Sequence, residues 1–322
     1  MRSFLVFFIL IILLLQISFA SDESKEFKPS GSPFVKIFTN FNNKLNDEQN
    51  TSAFEIKRAY LGYKYKMSKS FSGKVTLDFG DPKDGGKLEL TAYLKHAYVQ
   101  YQKGNLLAKF GLIATSSFKT QENFWGGRYL FKSFQDEYKY ESSADQGLYV
   151  LYKIHDMISI DMSVLNGEGY KNLEADDIRK YTAGLTLTPL SGIMLRAYYD
   201  EMGNSVKQKT MSLFASYKFK EFKIGAEYNS RVNHKNIDGS DLEGMSFYGG
   251  YNLDFMRVFA RYDELSSKND WNTEKDGSAI IIGAEFSPVK GFKITPNYQG
   301  WNPSKEGVNL THGMYLNCEI KF

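Results

Sequence analysis

Leu310-Thr311-His312-Gly313-Met314-Tyr315-Leu316-Asn317-Cys318-Glu319-Ile320-Lys321-Phe322 closes the chain, and its period decides the fold. Leu310, Met314, Leu316, Cys318, Ile320 and Phe322 share one face, against Thr311, Gly313, Tyr315, Asn317, Glu319 and Lys321 on the other. Only an extended strand alternates its side chains in this way. His312 alone is strongly polar on the apolar face. The pattern recurs at 157–165, where Ile158, Ile160, Met162 and Val164 oppose Ser159, Asp161 and Ser163. It returns at 209–219 and 256–263, with Phe214 and Phe259 as exceptions on the polar faces.

Extended along the chain, this reading predicts sixteen strands: 33–41, 53–67, 71–80, 88–102, 105–114, 146–154, 157–166, 180–189, 193–202, 209–219, 222–231, 244–253, 255–264, 277–287, 291–299 and 309–322. Lys95 and His96 leave the inward face of the 88–102 strand open. The links alternate in length. Short ones fall at 68–70, 103–104, 155–156, 190–192, 220–221, 254 and 288–290. Longer ones fall at 42–52, 81–87, 167–179, 203–208, 232–243, 265–276 and 300–308, with a far longer one at 115–145. A soluble sandwich or propeller has no reason to sort its loops by parity. A transmembrane antiparallel β-barrel has tight periplasmic turns, long external loops and an even strand number. In lipid every backbone polar group must be paired internally, and closure alone removes the sheet edges. Apolar faces then meet acyl chains and polar faces a lumen. Tyr65, Tyr101, Tyr217, Phe219, Tyr228, Tyr251, Phe286 and Phe322, near strand ends, suit an interfacial girdle.

The rest of the composition agrees. The 322 residues are 42% hydrophobic, enough to exclude a disordered polymer, and include 22 Tyr and 25 Phe, types that favour pleated surfaces and membrane interfaces. Residues 4–15 form an apolar block behind Arg2, followed by Ser18-Phe19-Ala20, which reads as a signal peptide of residues 1–20. Its apolar core is shorter than the roughly 20 residues a spanning helix needs. Residues 21–32 then read as a short periplasmic segment and 33–322 as the barrel. Removing the signal takes one basic residue from the 40 and none of the 37 acidic ones, so the exported chain is nearly neutral, which argues against a nucleic-acid partner. The single Cys318 rules out a disulfide-stapled module.

Sixteen strands enclose an aqueous channel, whereas eight would be filled by side chains. Passage of small solutes is then the default activity. The 115–145 link is aromatic and too long for a plain connection. Folded into the lumen, it places Arg128 and Lys132 at a constriction; the alternative is an external flap. The alternation points Arg58, Lys64, Lys74, Lys109, Lys153, Arg196, Lys218, Lys223, Arg257, Arg261, Lys293 and Lys321 inward, against Asp78, Asp161, Asp200, Glu227, Asp263, Glu285 and Glu319. That basic surplus favours anions in a pore, unless the charges pair across strands. Arg58, Lys109, Arg196, Arg257 and Arg261 are the principal pore-lining expectations. His96, His155, His234 and His312 lie in no nucleophile motif, and no metal or cofactor motif is present. The acidic runs 81–85 and 238–241 lack calcium-loop spacing and read as turns. A surface adhesin or a barrel enzyme with its site at the outer rim are the alternative readings of the same barrel.

Val164-Leu165-Asn166-Gly167-Glu168-Gly169-Tyr170 and Tyr181-Thr182-Ala183-Gly184-Leu185-Thr186-Leu187-Thr188-Pro189-Leu190 resemble a strand end and the following strand of the phosphate-selective porin O and P family. Phe54 to Tyr60 and His96 to Tyr101 resemble its early strands, and the terminal phenylalanine resembles an outer-membrane assembly signal. The resemblance implies a sixteen-stranded homotrimeric porin with an inward third loop. Ala183-Gly184 stands where the family often has Gly-Arg, so it does not carry phosphate selection with it.

Overall fold

The computed structural model describes residues 27–45, 50–82 and 89–322. The expected signal peptide lies outside the described residues. Sixteen strands are present: β1 (Ser30–Leu45), β2 (Thr51–Lys66), β3 (Phe71–Pro82), β4 (Leu90–Lys103), β5 (Leu106–Ala114), β6 (Ala144–His155), β7 (Ile158–Leu165), β8 (Lys180–Leu187), β9 (Ile193–Gly203), β10 (Lys207–Phe219), β11 (Phe222–Val232), β12 (Leu242–Asn252), β13 (Met256–Ser267), β14 (Gly277–Val289), β15 (Phe292–Pro303) and β16 (Thr311–Lys321). Each pairs antiparallel with its chain neighbours, and β16 closes on β1 with Ile37 opposite Ile320 and Phe41 opposite Leu316. Phe322 completes the seam through a two-way backbone pair with Val35. β1 begins at Ser30, so residues 30–32 of the expected periplasmic segment belong to the sheet.

The two faces divide as the alternation requires. Ile281 is fully buried, whereas its neighbour Ile282 is 49% exposed on the outside. Leu185, Leu195, Leu213, Ile224, Phe247 and Leu316 share that outer apolar surface. Asn40, Asp78, Asp161, Thr210, Asn229, Asp263 and Asn317 face inward and are buried. An apolar exterior around a polar interior is the inverse of a soluble protein and suits a bilayer.

Turns at one end are tight. Gly192 (φ +84°) and Gly291 (φ +88°) occupy a left-handed backbone, where an added Cβ would lie 2.0 Å from the Lys218 carbonyl and 2.4 Å from that of Lys321. At the other end most loops are longer, but β9 and β10 are joined by residues 204–206 alone and β1 and β2 by residues 46–50, both shorter than the sequence suggests. A register shift between Thr76 and Leu77 marks a bulge in β4 at Lys95. The extra residue lets both Lys95 and His96 face inward, which resolves the open face of that strand.

Loop L3 (residues 115–143) carries α1 (Lys119–Trp125) and α2 (Phe134–Glu137) and enters the lumen. α1 ends where Gly126 takes a left-handed conformation and its N–H bonds the Glu122 carbonyl. Trp125, 1% exposed, then packs on Tyr248 (5.5 Å between rings) and Phe259 (5.6 Å), while Phe124 packs on Phe214 (5.7 Å). The two aromatic exceptions on the polar faces are thus the wall contacts of L3. Inside a wet lumen this apolar contact is driven by the hydrophobic effect, which lipid does not supply on the outer face.

Candidate functional site: the lumen constriction

L3 is fastened mainly to one side of the barrel. Arg196 Nη2 donates to the Ser116 carbonyl (3.1 Å), Lys223 Nζ to that of Phe124 (2.7 Å) and Arg261 Nη1 to that of Lys132 (2.8 Å). Gln135 Nε2 donates to Asn229 Oδ1 (2.7 Å), Tyr129 Oη to Glu285 Oε2 (2.7 Å) and Lys180 Nζ to Glu141 Oε2 (2.6 Å). These contacts run over β8 to β14. The tip continues round the same wall over β15 and β16, where Gln299 and Asn317 donate to the Leu130 and Tyr129 carbonyls (3.4 Å each), to the adjoining β1, where Tyr129 meets Phe38 with ring centroids 6.3 Å apart. The inward faces of β3 to β6 form the opposing wall.

Arg128, expected at the constriction, lies on L3 between Glu122 (Nε to Oε2, 3.3 Å) and Asp136, and its guanidinium also bonds Tyr60 of β2. Glu122 is buried, which opposes its charge, yet Arg128 and Lys119 outweigh that and hold it below the usual carboxylate range. Glu137 is shifted the other way. Burial raises it, and Asp136 and Asp263 offset the help from Lys132. Lys132, the second expected constriction residue, lines with Arg128 an outer vestibule of about 860 Å³ that also includes Tyr315, Asn317 and Gln299.

The pore-lining expectations meet different surroundings. Arg196 forks onto Asp161 (2.6 and 3.0 Å), Arg261 onto Asp263 (2.8 and 2.7 Å), and Arg257 reaches Glu285 (3.0 Å). Arg58 bonds Asp78 at 3.1 Å. Their charges are largely matched, Arg261 along its own strand and the others across strands. Lys109 differs: its ammonium sits over the rings of Tyr98 (5.4 Å) and Tyr149 (5.5 Å). Lys64 and Lys74 oppose each other on β2 and β3, and both ammoniums share the Phe34 ring at 5.5 and 5.4 Å. Among the described residues these three lysines form no ion pair with a carboxylate. These three lysines form one patch of unmatched charge on β2, β3 and β5, and Lys223 on β11, bonded to L3 carbonyls, is a further inward cation with no carboxylate ion pair among the described residues.

Sequence reasoning missed Glu122, Lys95 and Tyr170. Lys95 was obscured by the bulge, and Tyr170 by its place in an external loop. The four histidines stand on separate elements: His96 inward on β4, His155 at the end of β6, His234 stacked on Trp271 (5.6 Å) and His312 packed on Tyr298 (5.8 Å).

No protein-family model and no curated protein matches the chain. Solved structures do. OmpF of Salmonella typhi in complex with daunomycin superposes with a TM-score of 0.70 at 12% identity, over 91% of this chain and 97% of that one. The outer membrane channel DcaP of Acinetobacter baumannii gives 0.68 at 15%, over 92% and 99%. An anion-selective porin from Comamonas acidovorans gives 0.68 at 11%, over 92% and 100%. The fold is that of the outer-membrane porins, a closed barrel of sixteen antiparallel strands. The likeness is to porin barrels as a class and does not single out the phosphate-selective O and P family.

Proposed function

We propose that this chain is an outer-membrane porin, a water-filled channel for passive diffusion of small hydrophilic solutes and ions with a mild preference for anions. It is exported through a cleaved signal peptide and works in the bacterial outer membrane as a homotrimer. The observation that carries the reading is the division of the lumen. L3 is bonded along β8 to β16, while Lys64, Lys74 and Lys109 on β2, β3 and β5 line the lumen without carboxylate partners. A wall of unmatched ammonium groups lowers the energy of an anion in transit and raises that of a cation. Arg128 and Lys132 belong to the L3 side of the constriction, with Arg128 carrying its charge between Glu122 and Asp136. This lining supports general anion preference more than recognition of phosphate in particular. The anion-selective porin among the structural neighbours is consistent with it.

Single-channel recording of the refolded protein under a salt gradient tests the proposal. A stable ohmic channel is expected, with a reversal potential on the anion side that moves toward the cation side when Lys64, Lys74 and Lys109 are all replaced by Gln. A cation-leaning wild type would remove the anion preference, and a folded barrel without conductance would remove the porin reading.

A further inference from the structure

The loop after β7, L4 (residues 166–179), does not stay outside. Its first residues hook inward over the root of L3: the Gly167 N–H bonds Asp145 Oδ2 (2.8 Å) and the Tyr170 N–H bonds the Ala144 carbonyl (2.9 Å). Gly169, at φ +80°, makes the turn, and a Cβ there would lie 2.5 Å from Ser142 Oγ. The hook delivers Tyr170 to β3, four strands along the barrel from β7, where its hydroxyl donates to Asp78 Oδ2 at 3.0 Å. Its ring stands edge-on to Tyr93 (6.2 Å) and beneath the Lys95 ammonium (4.9 Å).

Asp78 is fully buried and also accepts from Arg58 (3.1 Å) and Lys95 (3.0 Å). Lys95 in turn lies 5.1 Å from the Tyr60 ring, and Tyr60 bonds Arg128 at the tip of L3. Tyr170 from one loop and Arg128 from another therefore converge on the same few side chains of β2 to β4. A strand-to-strand ion pair has no need of a phenol from an outer loop, because Arg58 and Lys95 already match the charge of Asp78. What the phenol adds is a fixed position for its ring inside the lumen.

We propose that Tyr170 is a permeation-determining residue, the second side of the constriction, with L4 strapped across the lumen by its bond to Asp78. This rests on the channel reading above. The geometry assigns the two ends of the strap different roles: the hook on Ala144 and Asp145 sets where L4 enters, and the phenol sets how far the passage is narrowed.

The experiment compares single-channel currents of the full chain, Tyr170→Ala, Tyr170→Phe and, as a control on a distant external loop, Trp271→Ala. Tyr170→Ala is expected to raise the unitary conductance by roughly 1.5-fold, since pore cross-section limits the current. Tyr170→Phe, which keeps the ring and loses its tether, is expected to keep the conductance and add flicker, and Trp271→Ala to leave the current unchanged. Should Tyr170→Ala fail to fold, Tyr170→Cys in a Cys318→Ser background takes its place. Attachment of a bulky charged thiol reagent from the outer side must then lower the current. A conducting wild type with an unchanged Tyr170→Ala current, or a Tyr170→Cys channel whose current ignores the thiol reagent, overturns the Tyr170 assignment alone. A folded wild type that conducts nothing overturns the channel reading and this inference together.

Discussion

Arg261 grips Asp263, two residues along β13, through Nε and Nη2 at 2.8 and 2.7 Å, and extends its remaining nitrogen to the Lys132 carbonyl of L3 at 2.8 Å. Neither side chain is exposed. The guanidinium also lies 5.2 Å from the Trp125 ring. One wall residue thus ties a buried carboxylate, the aromatic contact of L3 and the L3 backbone into a single unit.

Arg261→Met removes the partner of a buried charge and should cost about 3–5 kcal/mol, well above a surface ion pair. Urea unfolding of the barrel in detergent or vesicles measures it. Limited proteolysis should find L3 cleaved more readily in the variant than in the wild type. Equal stability and equal L3 protection would mean that the unit does not hold the loop.

Ile281 and Ile282 are adjacent on β14, one packed against the L3 contact and one facing out. Ile282→Arg should destabilise the inserted barrel by about 2–4 kcal/mol if its Cα lies near the bilayer midplane. Ile282→Leu should be nearly neutral. Refolding into lipid vesicles over a urea series separates the two, and a harmless arginine there would contradict a lipid-facing position.

The two L3 glutamates should separate on titration. Glu137, raised by burial, takes a proton above the usual carboxylate range as pH falls, while Glu122, held down by Arg128 and Lys119, keeps its charge to lower pH. Loss of one negative charge makes the lumen more positive. Selectivity should therefore shift toward anions on acidification before Glu122 titrates. Reversal potentials recorded over a pH series check this: Glu137→Gln should reduce the early change, and Glu122→Gln should leave it in place.

The strand pattern was legible because a transmembrane strand is read one residue at a time. Lipid rejects charge on one side and water accepts it on the other, so Leu316, Cys318 and Ile320 announce their face without reference to any distant residue. Closure followed from parity and from the demand that lipid makes on the backbone. Phe214 and Phe259 were visible as violations, but the chain order does not say that Phe124 and Trp125 fill the space in front of them. Likewise, counting inward charges finds the basic residues but not their partners. Arg196 and Arg261 are matched within their own wall, whereas Lys64, Lys74 and Lys109 are left with aromatic rings.

By itself, then, the sequence determined a closed sixteen-stranded barrel, its outer face and the presence of one exceptionally long aromatic loop, since each depends on local period or local length; that the loop turns inward came from the structure. Only the tertiary structure decided which wall that loop occupies, which cations remain unmatched and that Tyr170 crosses to Asp78. Those depend on distances between residues that the chain order does not place together, such as Tyr170 and Asp78, 92 positions apart, where a few ångströms separate an ion pair from a free charge and Coulomb energy falls with that separation.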